Sequence, residues 1–450
     1  MPRAHAQPSR RLSLTFAIVF SACGARPLDV TPTDAATASD ASVRCSSLLP
    51  AGAVQWRTTL TQQRALSGPL AASVDDTTYF AWDPALVGLP RMGPPALYAL
   101  DRCGGVRWRS GWEHFQNRSV MVHALISNGN LIVGDGDLQS FDAATGLHRW
   151  TVDLVGLARS VSLGDVSGSN ALRRLVADRV GDVYAMIQSR ELLGVVRVSS
   201  DGVARLVFRA PINAGVSNVT DMVIDSAGHL VFAVTDTNVS PGPGVLYAFR
   251  RDGAPVYALR LPEVNYQDHL SVGDGFVVLG DTGTFVSNEG RVLRSLGAFT
   301  GPAAIATDGT IYTLLRRSGD DAGMQSFDAT DALRWSAPLR GGYAFSYEGG
   351  PLLGWGNVYS MYYRSSSLAD GGVASAAVLQ SVHHDFRASA TYEFAGQWQG
   401  RALLLSTGFV VFALDGSVLS VSTGGDAAPL DVFWPTPHGA NDQRGAPRGQ

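Results

Sequence analysis

The residues whose types could do chemistry are few and scattered. "SVHHDF" (381–386) gathers His383, His384 and Asp385, the densest titratable cluster in the 450 residues. Neighbours in a strand point to opposite faces, so two adjacent histidines do not readily share a metal. The stretch is expected to be a solvated turn. "GDVSGSNALRRL" (164–175) sets Asp165, Ser167 and Ser169 at alternate positions, as a calcium loop would, but lacks a closing Glu or a second Asp. Calcium takes roughly six to eight oxygens, so a hairpin is expected instead. "GTG" (282–284) leads into no helix whose dipole would favour a phosphate. Asn117-Arg118-Ser119 fits the glycosylation pattern by chance, and Asp75-Asp76 and Asp320-Asp321 read as turn or loop residues. No serine lies in a Gly-x-Ser-x-Gly strand-to-helix setting. All 35 Lys and Arg residues are arginine, which removes any Schiff-base or general-base lysine. No residue is assigned a catalytic, cofactor-binding or metal-binding role.

The three cysteines say more. "MPRAHAQPSRR" is a basic leader, and "LSLTFAIVF" is an apolar run too short to span a bilayer. "FSAC" then ends at Cys23, which resembles the lipobox of bacterial lipoproteins, with Phe20 in place of the usual Leu. That resemblance implies a signal peptide over 1–23 and a lipid on Cys23. The Ala/Thr/Asp/Pro-rich residues 24–50 read as a flexible tether. An envelope compartment permits disulfides, so Cys45 and Cys103 are expected to pair, two free thiols being the alternative. Neither has a neighbour at metal-ligand spacing.

Composition bounds the elements that position these residues. A chain of 450 residues exceeds a single-core domain of roughly 100–200, so it holds several domains or one repetitive one. Glycine supplies 50 residues, above the usual ~7%, much of it in Asp-Gly and Asn-Gly turns that favour short strands. A net charge of −4 with a pI near 6.1 offers no basic stripe for nucleic acid.

One phrase recurs. "LYALDRCGGVRW" (97–108), "LQSFDAATGLHRW" (138–150) and "MQSFDATDALRW" (324–335) share an apolar residue, a small one, another apolar one, often Asp, a turn and an aromatic. The small slot holds Ala99, Ser140, Ala248, Ser326, Ser381 and Ala413, consistent with a strand face where another sheet comes close. Asp101, Asp142, Asp328 and Asp415 can bond turn amides, and Gly105, Gly146, Gly253 and Gly416 can take positive φ. Degraded copies occur at 195–208, with Arg197 in the slot, and at 284–293, with Ser287 but no aromatic. Residues 83–95, 236–244 and 364–372 read as surface loops. About eight units at roughly 30–60-residue spacing fit four-stranded propeller blades. The fold class is therefore all-β, a single β-propeller of eight blades with seven as the alternative, over residues 51–424. Two separate β-domains form the runner-up. Residues 425–450 read as a loosely held tail.

These phrases resemble the repeat of quinoprotein-type (PQQ-repeat) β-propellers, aliphatic-Tyr-Ala-Leu-Asp followed by Thr-Gly and Trp. In that family the aromatics dock one blade on the next, which implies this role for Trp56, Trp108, Trp150, Tyr257 and Trp335. Trp56 would sit on an orphan last strand completing a blade whose other strands come from "GFVVFALDG", although "SVLSVS" (417–422) competes for that place. The resemblance extends to the outer-membrane lipoprotein propellers that assist β-barrel assembly. It implies a non-catalytic, outer-membrane-anchored monomer that binds an envelope protein or surface ligand through loops on one face; the charge argues against nucleic acid, and with no adjacent cysteines, no cluster of calcium ligands and no lysine, no quinone or other cofactor is expected. The competing class is a propeller enzyme, either a quinone-dependent dehydrogenase or a lyase or hydrolase.

Overall fold

The computed structural model describes residues 49–60, 70–82, 95–112, 123–134, 137–161, 172–189, 192–211, 219–235, 242–264, 270–280, 282–297, 303–316, 322–339, 350–367, 373–396 and 398–428. All of them fall in the compact unit Asp40–Gln450. They form eight antiparallel sheets of four strands each. Seven blades follow chain order over 71–111, 123–152, 172–211, 223–264, 270–295, 304–338 and 352–395. The eighth takes Trp398–Leu404, Phe409–Leu414 and Ser417–Ser422 from one end of the chain and Val54–Thr59 from the other.

The core lies between blades. Apolar clusters join blade 8 to 1, 1 to 2, 2 to 3, 3 to 4, 4 to 5 and 6, 6 to 7, and 7 to 8, so the ring is closed by burial all the way round. A sheet packed on both faces explains why second strands such as Thr78–Trp82 and Leu230–Thr235 are buried at every position. Fourth strands alternate or are open, as in Ser389–Ala395, because they form the rim. The one α-helix among the described residues, Leu154–Ser160, follows blade 2 and is capped by Asp153, which accepts from Gly156 N at 2.6 Å.

Several sequence expectations need correction. In blade 8 "SVLSVS" and the Trp56 strand do not compete: Ser417–Ser422 is the third strand and Val54–Thr59 the fourth. Trp56 therefore pairs with Ser420, and Ala413 belongs to the second strand. The small slot of blade 8 is Ser420, because "VLSV" repeats the template one strand later than "VFAL". In blade 5 the slot is Phe285, paired with Arg294, while Ser287 opens the turn through Ser287 N to Arg291 O, as Asp101 does through Asp101 N to Gly105 O. The positive φ of the first turn belongs to Gly104 (81°), not Gly105. Parts of two expected loops are strand, within Gly242–Phe249 and Asn357–Ser367; 83–94, 236–241 and 368–372 lie outside the described residues, as do 164–171, 117–119 and 320–321.

The slot is small for a reason other than an approaching sheet. Tyr79 and Trp108 both pair with Ala99, from opposite sides, and their rings meet over it at 5.8 Å between centroids. Tyr312, Ser326 and Trp335 repeat this, with centroids 6.0 Å apart. A larger residue between the two aromatics would push them apart.

Candidate functional site

Antiparallel connectivity puts the first-to-second and third-to-fourth strand turns of every blade on one face. The joints between blades are built there. Trp56 Nε1 donates to Arg102 O at 2.9 Å, Trp108 Nε1 to Ala143 O at 2.9 Å, Trp150 Nε1 to Ser200 O at 3.0 Å, and Trp335 Nε1 to His384 O at 2.8 Å. Each acceptor follows the residue that opens the next blade's outer turn. Each of the first three indoles also covers a glycine of that turn: a Cβ on Gly104, Gly146 or Gly202 would come within 2.6–2.8 Å of Trp56, Trp108 or Trp150. Tyr257 covers Gly290 in the same way.

Sequence reasoning missed the remaining joints, which use other chemistry. Between blades 5 and 6, Arg294 lies 4.3 Å over the Phe285 ring, donates to Ala329 O at 3.2 Å and pairs with Asp331 at 2.9 Å. The aromatic has moved one strand inward, and a guanidinium stacks on it in place of an indole. Between blades 3 and 4, Phe208 stacks on Phe249 with centroids 4.6 Å apart. Between 7 and 8, Tyr392 lies against Gly52. The signal was present as an arginine, a phenylalanine and a tyrosine near the right spacing, but not as the template's residue types.

The histidine cluster is part of this frame. His384 is half-buried, not solvated: its Nε2 donates to Gly354 O at 3.0 Å, which leaves Nδ1 to accept from the Tyr312 hydroxyl. Burial pushes the Tyr312 phenol up to about 12, so it stays a donor. His383 Nδ1 accepts from Asp385 N at 3.1 Å, and Asp385 pairs with Arg334 and Arg387.

At the ring closure a cleft of about 430 Å³ opens between Asp75, Arg102 and Arg107 of blade 1 and Thr407 of blade 8. Buried Asp76 accepts from Ser406 N at 3.0 Å, Thr407 N at 3.0 Å and the Ser406 hydroxyl, tying the two blades. Asp75 feels burial, which opposes ionisation, but Ser73, Arg107 and Thr77 outweigh it and hold the carboxyl at about 2. Both carboxylates are occupied by fixed donors, and the cleft's described lining offers no Ser–His or Cys–His pair for nucleophilic chemistry. Across the ring, Asp225 is raised by burial, against which His229 and backbone donors act.

The quinoprotein resemblance implies a flat quinone beside calcium, resting on a tryptophan under a disulfide of adjacent cysteines. The residues present do not fit that group. Four of the described tryptophans donate their indole N–H across blade joints, and Trp398 donates to Arg401 O. The chain's three cysteines include no adjacent pair, and Cys103 stands in an outer turn. Among the described residues no three His, Cys, Asp or Glu side chains are grouped to hold a cation.

No protein-family model matches the chain, and neither does any curated protein. Among solved structures it is similar to the quinohemoprotein alcohol dehydrogenase ADHIIG from Pseudomonas putida HK5, with 14% identity and a TM-score of 0.54 over 85% of this chain and 77% of that one. The quinohemoprotein alcohol dehydrogenase from Comamonas testosteroni gives 12% and 0.50 over 83% and 77%. BamB from Moraxella catarrhalis gives 14% and 0.47 over 74% and 92%. At these identities the two dehydrogenase likenesses show the fold alone, and the fold they show is the one built above: an eight-bladed β-propeller resembling the quinoprotein-type, PQQ-repeat propellers.

Proposed function

We propose that the chain is an envelope lipoprotein, lipid-anchored at Cys23 and tethered through 24–50, whose ring is a non-catalytic scaffold for a protein partner. The observation that carries this reading is the hairpin of the second and third strands of blade 7. Asn357–Ser367 and Val373–His383 are eleven residues each and pair along their whole length. The outer strand Ser389–Ala395 reaches only as far as Ala376. The pairs Ser366–Ala374 and Ser367–Val373 thus stand without an outer strand among the described residues, on the face opposite the turns. A two-stranded ribbon with a free edge offers unpaired backbone groups that an extended segment of a partner can take.

Cys103 supports the compartment. In this reading it forms a disulfide, and the sequence offers only Cys23 and Cys45 as partners. With Cys23 lipidated, Cys45 is the partner in this reading. Leu49, four residues further on, accepts from the Ser422 hydroxyl at 2.9 Å at the edge of blade 8, the blade whose Trp56 bonds Arg102 O next to Cys103. Among the described residues no helix is long and apolar enough to cross a membrane.

Calorimetry with calcium and pyrroloquinoline quinone, followed by dye-linked alcohol or sugar oxidation, separates scaffold from enzyme. The scaffold reading expects neither heat nor turnover. Stoichiometric micromolar binding with turnover would make the protein a dehydrogenase.

A further inference from the structure

On the turn face, blade 7 leaves two large aromatics in the open. Trp355 is 63% exposed and Phe386 47%, the latter in the left-handed region at φ 59° and stacked on Trp335. Trp355 lies in the turn between Leu352–Leu353 and Asn357–Ser367, and Phe386 in the turn after Val373–His383. The two turns are tied together: His384 N donates to Gly356 O at 3.1 Å, and His384 Nε2 to Gly354 O. Around them stand Arg387 (side chain 77% exposed), Arg334 and Asp385, whose carboxylate both arginines share.

The chain runs on from this spot. Asp426 accepts from Gly356 N, Asn357 N and the Tyr359 hydroxyl. Trp355 N donates to Ala427 O at 3.1 Å, and Ala428 is buried, its N bonded to Leu405 O. The described chain therefore ends beside Trp355, with residues 429–450 still to follow. They open with "PLDVFWP" (429–435), whose Leu430, Val432, Phe433 and Trp434 contrast with the polar, Gly- and Pro-rich remainder. Five residues from Ala428 to Phe433 span at most ~17 Å when extended, enough to cross two joined turns.

We propose that this patch is a docking site for the chain's own C-terminal segment, with Phe433 and Trp434 packing on Trp355 and Phe386. Aromatic side chains bury large areas and pair offset or edge-on, which suits two exposed rings on adjoining turns. The docked segment straps the end of blade 8 to blade 7, away from the blade 7 ribbon.

Hydrogen exchange read by mass spectrometry on the full chain tests this at two protein concentrations. In the double variant Phe433→Ser, Trp434→Ser, peptides covering 354–357 and 383–388 should exchange about 10-fold faster than in the parent, independent of concentration. The 143–146 turn should be unchanged, which excludes general unfolding. Trp355→Ala should in turn deprotect the 430–436 peptide. Equal exchange in parent and double variant would overturn the proposal. Protection that appears only at the higher concentration would also overturn it, assigning the patch to a second copy.

Discussion

Trp108 and Ala143 belong to different blades, and the indole of one donates to the carbonyl of the other at 2.9 Å. The same bond runs from Trp56 to Arg102, from Trp150 to Ser200 and from Trp335 to His384. The Trp108 indole covers the turn backbone at Gly146 and satisfies a carbonyl that packing would otherwise leave dry. Trp108→Ala should therefore cost about 3–5 kcal/mol, from cavity plus lost burial. Trp108→Phe, which keeps most of the packing, should cost less than half of that. Denaturant midpoints for the two variants check the ordering, and equal midpoints would show that the joint is not stabilised this way.

Gly146 has φ 73°, and a Cβ there would lie 2.6 Å from the Trp108 ring. Gly129 has nearly the same φ, 72°, with open space around it. Left-handed strain alone is about 1–2 kcal/mol per residue. Gly129→Ala should show that cost, and Gly146→Ala should exceed it by about 1–3 kcal/mol because the indole must move. Thermal or urea unfolding of the pair separates the two causes; equal losses would deny the glycine its role as a floor for Trp108.

The all-β class and the eight units were legible because turn chemistry and the small-residue slot survive in most blades. The chemistry of the joints was legible only where it is tryptophan or tyrosine. Arg294 stacked on Phe285 performs the same task with the aromatic on the inner of the two strands, and a template aligned on residue type cannot see that exchange. Ala413 misled for a related reason: "FVVFALDG" imitates the third strand, but the following turn, Asp415-Gly416, joins the second strand to the third. His384 was read as solvated because its partners, Tyr312 and Gly354, lie 72 and 30 residues away. Carboxylate clamps such as Asp76 on Ser406 bridge 330 residues and leave no local mark.

Asp142 opens the turn that receives Trp108. Arg149 and then Thr145 hold its carboxyl at about 2, below the ordinary 3.8. Because the folded value is depressed, the resulting stability is present above pH ~3.8 and is lost as pH falls through ~2. The midpoint of the parent should decline more steeply between those values than that of Asp142→Asn, while the two curves run parallel above pH ~5. Parallel curves throughout would remove Asp142 from the acid response.

If Cys45 and Cys103 pair, Cys45→Ser should destabilise by about 2–5 kcal/mol, and Cys103→Ser by the same amount, since each removes the same cross-link. The double variant should be no worse than either single one. Additive losses would contradict the pairing, as would two free thiols by mass in protein from an oxidising compartment.

The central claim, that the ring is a scaffold gripping a partner by the blade 7 ribbon, is tested most directly by site-specific photo-crosslinking in intact envelopes. One probe replaces Ser366 on the ribbon and a control replaces Val180 on the turn face, which is 65% exposed. The account predicts that one discrete protein is captured from Ser366 and not from Val180. Capture from Val180 alone, or none from Ser366 in envelopes where the protein is present and folded, would contradict it.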